Sequence, residues 1–285
     1  MSKEKTNDDL FCWEQVLRTH RVFRISQVFA TRQTAEKLLP LYALFSAIEQ
    51  ICSTISDEEV ARSKINWWRM EILQKLPGES LHPIVKQLTR TGAMNDLPVG
   101  SIATLLDSAE SRLDSQAPAD LTDLKQRCVE TQQPQFELEL AVCGSKSDFI
   151  GDESFNLARS GLLQLIRESE GRKEQGAYWW VPLNLLARHN VGRADLSGGS
   201  NSGEVTALMA DIVTAREFWG HESAGSFTGK SEESQNMRHF FAINALYKRQ
   251  LRRLDGLIPE RFPAVLNKTG LGDLFRAWKS ARALH

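Results

Sequence analysis

Leu41-Tyr-Ala-Leu-Phe-Ser-Ala-Ile-Glu-Gln-Ile-Cys-Ser53 decides how the rest of the chain reads. Extended back to Leu38, its apolar residues Leu38, Leu41, Tyr42, Phe45, Ile48 and Cys52 step by three and four, the spacing of one helical face. Glu49 stands four positions before Ser53, so the two share a side of that helix. A second stretch has the same design. Gly161-Leu-Leu-Gln-Leu-Ile-Arg-Glu168 runs into Ser169-Glu-Gly-Arg172. Each five-residue motif keeps an acid at its first position and has none at its fifth.

Helical periodicity continues outward from both stretches, and strand signals are nearly absent. Ser56-Asp-Glu-Glu predicts the start of the next helix, with Ser56 as cap and acids in the first turn. That helix carries Val60, Ile65, Trp67, Trp68 and Ile72 and stops before Pro77-Gly78. Further helices are expected at 83–91, 98–112, 119–142, 152–173, 182–189, 203–221, 233–255 and 271–283. Gly192–Gly203 and His221–Ser234, rich in glycine, read as irregular loops. Residues 1–14 read as a polar tail and 15–285 as one all-α domain, since no linker or repeat divides it.

Bulk properties exclude several classes of partner. Lys+Arg 35 against Asp+Glu 36 leaves a net charge of -1, so no global field draws the chain to nucleic acid. No apolar run reaches the roughly 18–20 residues that span a bilayer, which leaves peripheral membrane contact open. The polar, acidic N-terminus is unlike a targeting peptide, and a cytoplasmic location is expected. Cys12, Cys52, Cys128 and Cys143 lack metal-ligand spacing and read as reduced, buried thiols. The six histidines form no His-x-x-x-His pair, so no zinc site is expected.

An acid at each end of such a helical motif makes a claw for magnesium, which prefers oxygen ligands and binds one or two carboxylates plus substrate phosphates. Two claws facing one another hold several ions, and those ions draw electrons from a diphosphate leaving group. Glu49 and Glu168 are the candidate metal-ligating residues on this reading.

The ordered blocks Leu41-Tyr-Ala-Leu-Phe with Glu49, Trp67-Trp-Arg-Met-Glu, His82-Pro-Ile-Val, Leu121–Cys128, Gly161–Glu168, Gly176…Tyr178…Pro182-Leu-Asn-Leu-Leu-Ala-Arg-His and Tyr247–Gly256 resemble the squalene/phytoene synthase family, over about residues 15–282. That family joins two prenyl diphosphates head to head. The resemblance implies the all-α isoprenoid (terpenoid) synthase fold, a single helical bundle around a central cavity. It implies catalytic positions at Glu49, Gln164 and Glu168, and substrate-binding positions at Tyr42, Arg167, Arg172 and Tyr178.

The departures from the family pattern matter more than the matches. Aspartates of the family's first motif fall on Glu49, Gln50 and Ser53, and an arginine three residues before it falls on Ser46. In the second motif the family's glutamine, asparagine and two aspartates fall on Gly161, Gln164, Glu168 and Arg172. Serine supplies no charged ligand, and Arg172 puts a fixed cation where a magnesium ligand is expected.

Three readings follow. The first is a degenerate relative that binds a prenyl diphosphate, an isoprenoid lipid or a partner protein without metal-dependent condensation. The eroded first motif also resembles the mitochondrial complex I assembly factor related to phytoene synthase. The second is an active prenyltransferase, the only reading that calls for magnesium. The third is a helical scaffold whose cavity has filled with side chains.

Arg167 and Arg172 either bind phosphate directly or pair with Glu49 and Glu168. Trp67, Trp68, Trp179 and Trp180 either wall a prenyl channel or pack the core. Arg18, Arg21 and Arg24 form either a diphosphate site or a solvated basic face. Lys248, Arg249, Arg252 and Arg253 either complement a helix dipole or meet anionic lipid.

Overall fold

The structure, a computed structural model, describes residues 6–75, 79–114, 116–145, 153–171, 178–197, 202–219 and 231–282. Among these residues there is no strand. The helices are α1 (Asn7–Thr19), α2 (Phe23–Ser26), α3 (Arg32–Thr54), α4 (Glu58–Leu73), α5 (Pro83–Arg90), α6 (Ala93–Asp96), α7 (Val99–Ser111), α8 (Leu121–Cys143), α9 (Glu153–Gly171), α10 (Leu183–Arg188), α11 (Ser202–Val213), α12 (Arg216–Trp219), α13 (Ser231–Arg252), α14 (Phe262–Leu266) and α15 (Leu271–Arg282).

Helix ends follow local chemistry. Asp120 caps α8 by accepting from the Thr122 and Asp123 amides at 2.8 and 2.9 Å, and Gly144 closes it at φ 70°. His82 caps α5 through Nδ1, with Pro83 at the first helical position. Two expectations need correction. The cap of α4 is Asp57 rather than Ser56, because its carboxylate accepts from the Glu59 and Val60 amides at once. The stretch 1–14, expected to be a polar tail, contains the start of α1, since Thr6 and Asp9 form a reciprocal capping box that starts the helix at Asn7 and seats Cys12 in the core.

The other boundaries fall within a few residues of expectation. The helix expected over 203–221 is broken into α11 and α12, with Thr214 bonding back to the Ala210 carbonyl. In the first expected loop, residues 192–197 form a turn closed by the Gly192 amide donating to Asp195. In the second, residues 231–234 already belong to α13, and 220–230 lie outside the described residues. All four cysteines are free and buried.

At the centre, α3 and α8 pack on α9, α13 packs on α8 and α9, and α3 meets α8. The α8–α9 approach depends on Gly161. A Cβ there would lie 2.7 Å from the Cys128 Cα, closer than side chains are found. α1, α5 and α7 flank this centre, α4 packs on α7 and α3, and α15 lies along α13.

The basic cluster late in α13 is consumed by its neighbours. Arg249 and Arg253 both pair with buried Asp273 of α15, at 2.8 and 3.0 Å. Lys248 and Arg252 sit over the Trp219 ring.

Candidate functional site

α3 and α9 bring Glu49 and Arg167 together. Arg167 Nε donates to Glu49 Oε1 at 2.9 Å, and His20 Nε2 lies 3.3 Å from the other carboxylate oxygen. Glu49 is buried, which opposes its charge. Arg167 and His20 outweigh that burial and hold its pKa at about 2. His20 Nδ1 reaches the Tyr247 hydroxyl at 3.3 Å.

Glu168, one residue after Arg167, faces a different set of partners. Arg112, at the end of α7, lies 3.4 Å away, and Gln164 Nε2 donates to Glu168 at 2.9 Å. The Gln164 carbonyl in turn accepts from Gln132 and Gln135 of α8. Arg112 also donates to Ser108 and reaches the Cys52 sulfur. Burial works against the Arg112 charge, and the Glu168 carboxylate more than restores it.

A third buried acid, Glu139, lies 3.2 Å from His239 Nε2, which also meets the Tyr42 hydroxyl. Burial and the Glu139 charge push the Tyr42 hydroxyl well up, so Tyr42 stays neutral. A polar layer thus crosses the apolar bundle, with Glu49, Glu139 and Glu168 set against Arg112, Arg167 and two histidines. Ser46, where the resemblance expects an arginine, accepts from the Thr19 hydroxyl at 2.6 Å.

Space is distributed unevenly around this layer. The interior cavity beside Tyr42, Gln132, Glu139 and Tyr247 measures about 30 Å³. Pockets that enclose small organic ligands run to about 300 Å³ and more. A larger pocket of about 420 Å³ opens where α1, α3, α9 and α13 meet, lined by Arg18, Arg21, Glu49, Gln50, Ser53 and Arg167 among others. Gln250 is buried in its wall, and its Oε1 has no hydrogen-bond partner. Arg18 donates to Gln50 at 3.3 Å across the rim. A second pocket of about 440 Å³ adjoins it, sharing Gln50 and Thr54 and walled by Trp67, Trp68, His82 and Phe11.

Of the expected site residues, Glu49 and Arg167 meet in the pocket of about 420 Å³. Gln164 and Glu168 meet one another deeper in, and Tyr42 lines the small cavity. Tyr178 is buried at a left-handed φ of 70° and is not among the residues lining these cavities. Arg172 lies outside the described residues. Trp180 is a buried packing residue that donates to Ser169, while buried Trp68 and exposed Trp67 both wall the second pocket. Arg112 and His20 were not singled out in the sequence, because no local pattern marks a partner so distant along the chain. Among the described residues no group of three His, Cys, Asp or Glu side chains is placed to hold a metal ion.

The model of the squalene/phytoene synthase family matches residues 18–259. The chain belongs to the squalene/phytoene synthase family. Two solved structures share its fold. A dehydrosqualene synthase in complex with ligand superposes with a TM-score of 0.64 at 12% identity, covering 97% of this chain and 95% of that one. The squalene synthase HpnC from Alicyclobacillus acidocaldarius superposes with a TM-score of 0.54 at 15% identity, covering 97% and 91%. No curated protein matches the chain significantly.

Proposed function

We propose that this member of the family binds a phosphate-bearing isoprenoid ligand through guanidinium groups and does not carry out metal-dependent condensation. One observation carries the reading. The pocket at the first motif presents Arg18, Arg21 and Arg167 against a single carboxylate, and Glu49 is already ion-paired inside the fold. Such a lining suits an anion held by charge-assisted hydrogen bonds. The donor set does not suit magnesium: Ser53 and Gln50 bring no charge, and Glu49 and Glu168 each face an arginine. The orphaned Gln250 acceptor is suited to a water or a protonated phosphate oxygen at the pocket wall.

Two measurements test this. Inorganic pyrophosphate should raise the melting temperature equally with magnesium and with a chelator present. Incubation with farnesyl or geranylgeranyl diphosphate and magnesium should yield no C30 or C40 product, and finding either would establish the active prenyltransferase instead. A second reading draws on the narrow interior cavity, which favours a scaffold that holds no prenyl chain. An isoprenoid lipid that co-purifies with the protein would sink that alternative.

A further inference from the structure

α15 turns its small and polar residues to the protein and its large apolar ones to solvent. The buried face is Asp273, Ala277 and Ala281, one residue per turn. Asp273 is gripped by Arg249 of α13 and by Arg253 just beyond its end, and the Ser280 hydroxyl donates to the Phe241 carbonyl at 2.9 Å. The Arg249 guanidinium lies against Gly272, donating to its carbonyl at 2.8 Å. The helix is therefore fixed to the bundle by this clamp together with the buried Ala277 and Ala281.

The flank beside that buried face is apolar and uncovered. Leu271 is 85% exposed, Leu274 44%, Phe275 65% and Trp278 43%. With 3.6 residues per turn these four fall within an arc of about 100°. Exposed Arg276 and Lys279 continue around the helix from that arc, and the Arg282 guanidinium stacks over the Trp278 ring at 4.5 Å. From Pro259 to Arg282 there are five cations and two acids, and one of those acids, Asp273, is buried in its clamp. In a chain whose net charge is -1, this segment is a local basic surface.

We infer that α15 is a membrane-surface element that seats Leu271, Phe275 and Trp278 at the headgroup–acyl boundary of an anionic lipid bilayer. Leu, Phe and Trp on one arc with Lys and Arg beside it is the pattern of a helix lying in that interface. The cations match the negative potential of anionic headgroups. Among the described residues no helix is long and apolar enough to cross a membrane, so the contact is peripheral and reversible.

Co-sedimentation of the full chain with vesicles tests the assignment. Vesicles of phosphatidylcholine mixed with phosphatidylglycerol should retain the protein, and those of phosphatidylcholine alone should retain far less. Phe275→Ser with Trp278→Ser should lower partitioning by at least about tenfold. Arg276→Gln with Lys279→Gln should lower it by about 30-fold at low salt. All four side chains are exposed, so circular dichroism should show both variants folded. If the aromatic pair does not fold, the charge pair decides alone. Equal sedimentation of wild type and variants overturns the inference, as does wild type that stays in solution with both vesicle types. If the chain instead self-associates in light scattering and the aromatic pair abolishes this without any vesicle binding, the face is a protein interface and the inference fails.

Discussion

The two acidic motifs sit on neighbouring central helices, and their surroundings have diverged. Glu168 on α9 is sealed among Arg112, Gln164, Gln132 and Gln135, all buried. Glu49 on α3 is equally buried, yet its partner Arg167 reaches a pocket of about 420 Å³ that Arg18 and Arg21 also face. Glu168 is a hydrogen-bonded part of the core. Glu49 borders open space and is surrounded by cations. A pair of facing metal claws needs both carboxylates open to the same space, and of these two only Glu49 lines that pocket.

The severest test of that contrast is the sealed half. Glu168→Ala leaves Arg112 buried without its carboxylate, and breaking a buried pair in this way costs about 3–5 kcal/mol. Urea unfolding should show it as a large fall in midpoint at unchanged slope. Replacing both partners, Arg112→Met with Glu168→Leu, should restore most of the loss, because no stranded charge remains. A cost under about 1 kcal/mol for Glu168→Ala would mean the site is wet, and the contrast would collapse.

Glu49 offers a test with a defined pH window. Its folded pKa of about 2 lies below the ordinary 4.5, so the unfolded chain binds the proton more readily. Stability from this group is full above about pH 4.5 and is lost as pH falls toward 2. The amount is about 3 kcal/mol. Glu49→Gln should flatten the dependence of unfolding free energy on pH across that window. A variant with the same slope as wild type would show that other carboxylates set the acid limit.

Gly161 probes how tightly the sealed half is held. In mid-helix, alanine is normally favoured over glycine by about 1 kcal/mol. Here the added methyl meets the Cys128 backbone at 2.7 Å, so α8 and α9 must separate. Overpacking of this kind costs about 1–3 kcal/mol, which reverses the usual sign. Stabilisation by Gly161→Ala in thermal melts would show that the helices yield freely. The same contact accounts for the glycine standing where the family resemblance expects a glutamine: a longer side chain has nowhere to go.

The bundle was legible in the sequence because helix ends are decided by neighbours. Asp120, Pro83 and Gly144 each act within a few residues, and the strong periodicity of α3 and α9 needs no tertiary information. α1 was hidden because its capping box lies in a polar stretch that also reads as a tail. The site was only half legible. Glu49 with Arg167 was one of two open pairings. Arg172 lies outside the described residues, while Glu168 also faces Arg112, a residue outside both motifs. That contact joins the ends of α7 and α9, and no spacing rule connects them. Arg18 and Arg21 read as a solvated face because a helix's own sequence does not say which neighbour it leans against.

Those two arginines carry the smallest effect on the fold and the clearest on the open half. Both are exposed, and the Arg18–Gln50 hydrogen bond at 3.3 Å lies at the surface. Arg18→Gln with Arg21→Gln should therefore leave the melting temperature of the unliganded protein nearly unchanged, within about 0.5 kcal/mol of stability. The same pair of changes should abolish stabilisation by inorganic pyrophosphate, because Arg167 alone is committed to Glu49. Titrating pyrophosphate in calorimetry against rising salt separates this from nonspecific attraction, since a built site retains part of its affinity when exposed charges are screened. If the double variant binds as well as wild type, the anion sits elsewhere and the first motif is as closed as the second. If binding falls with the fold intact, the open motif has exchanged its metal claw for a cationic one.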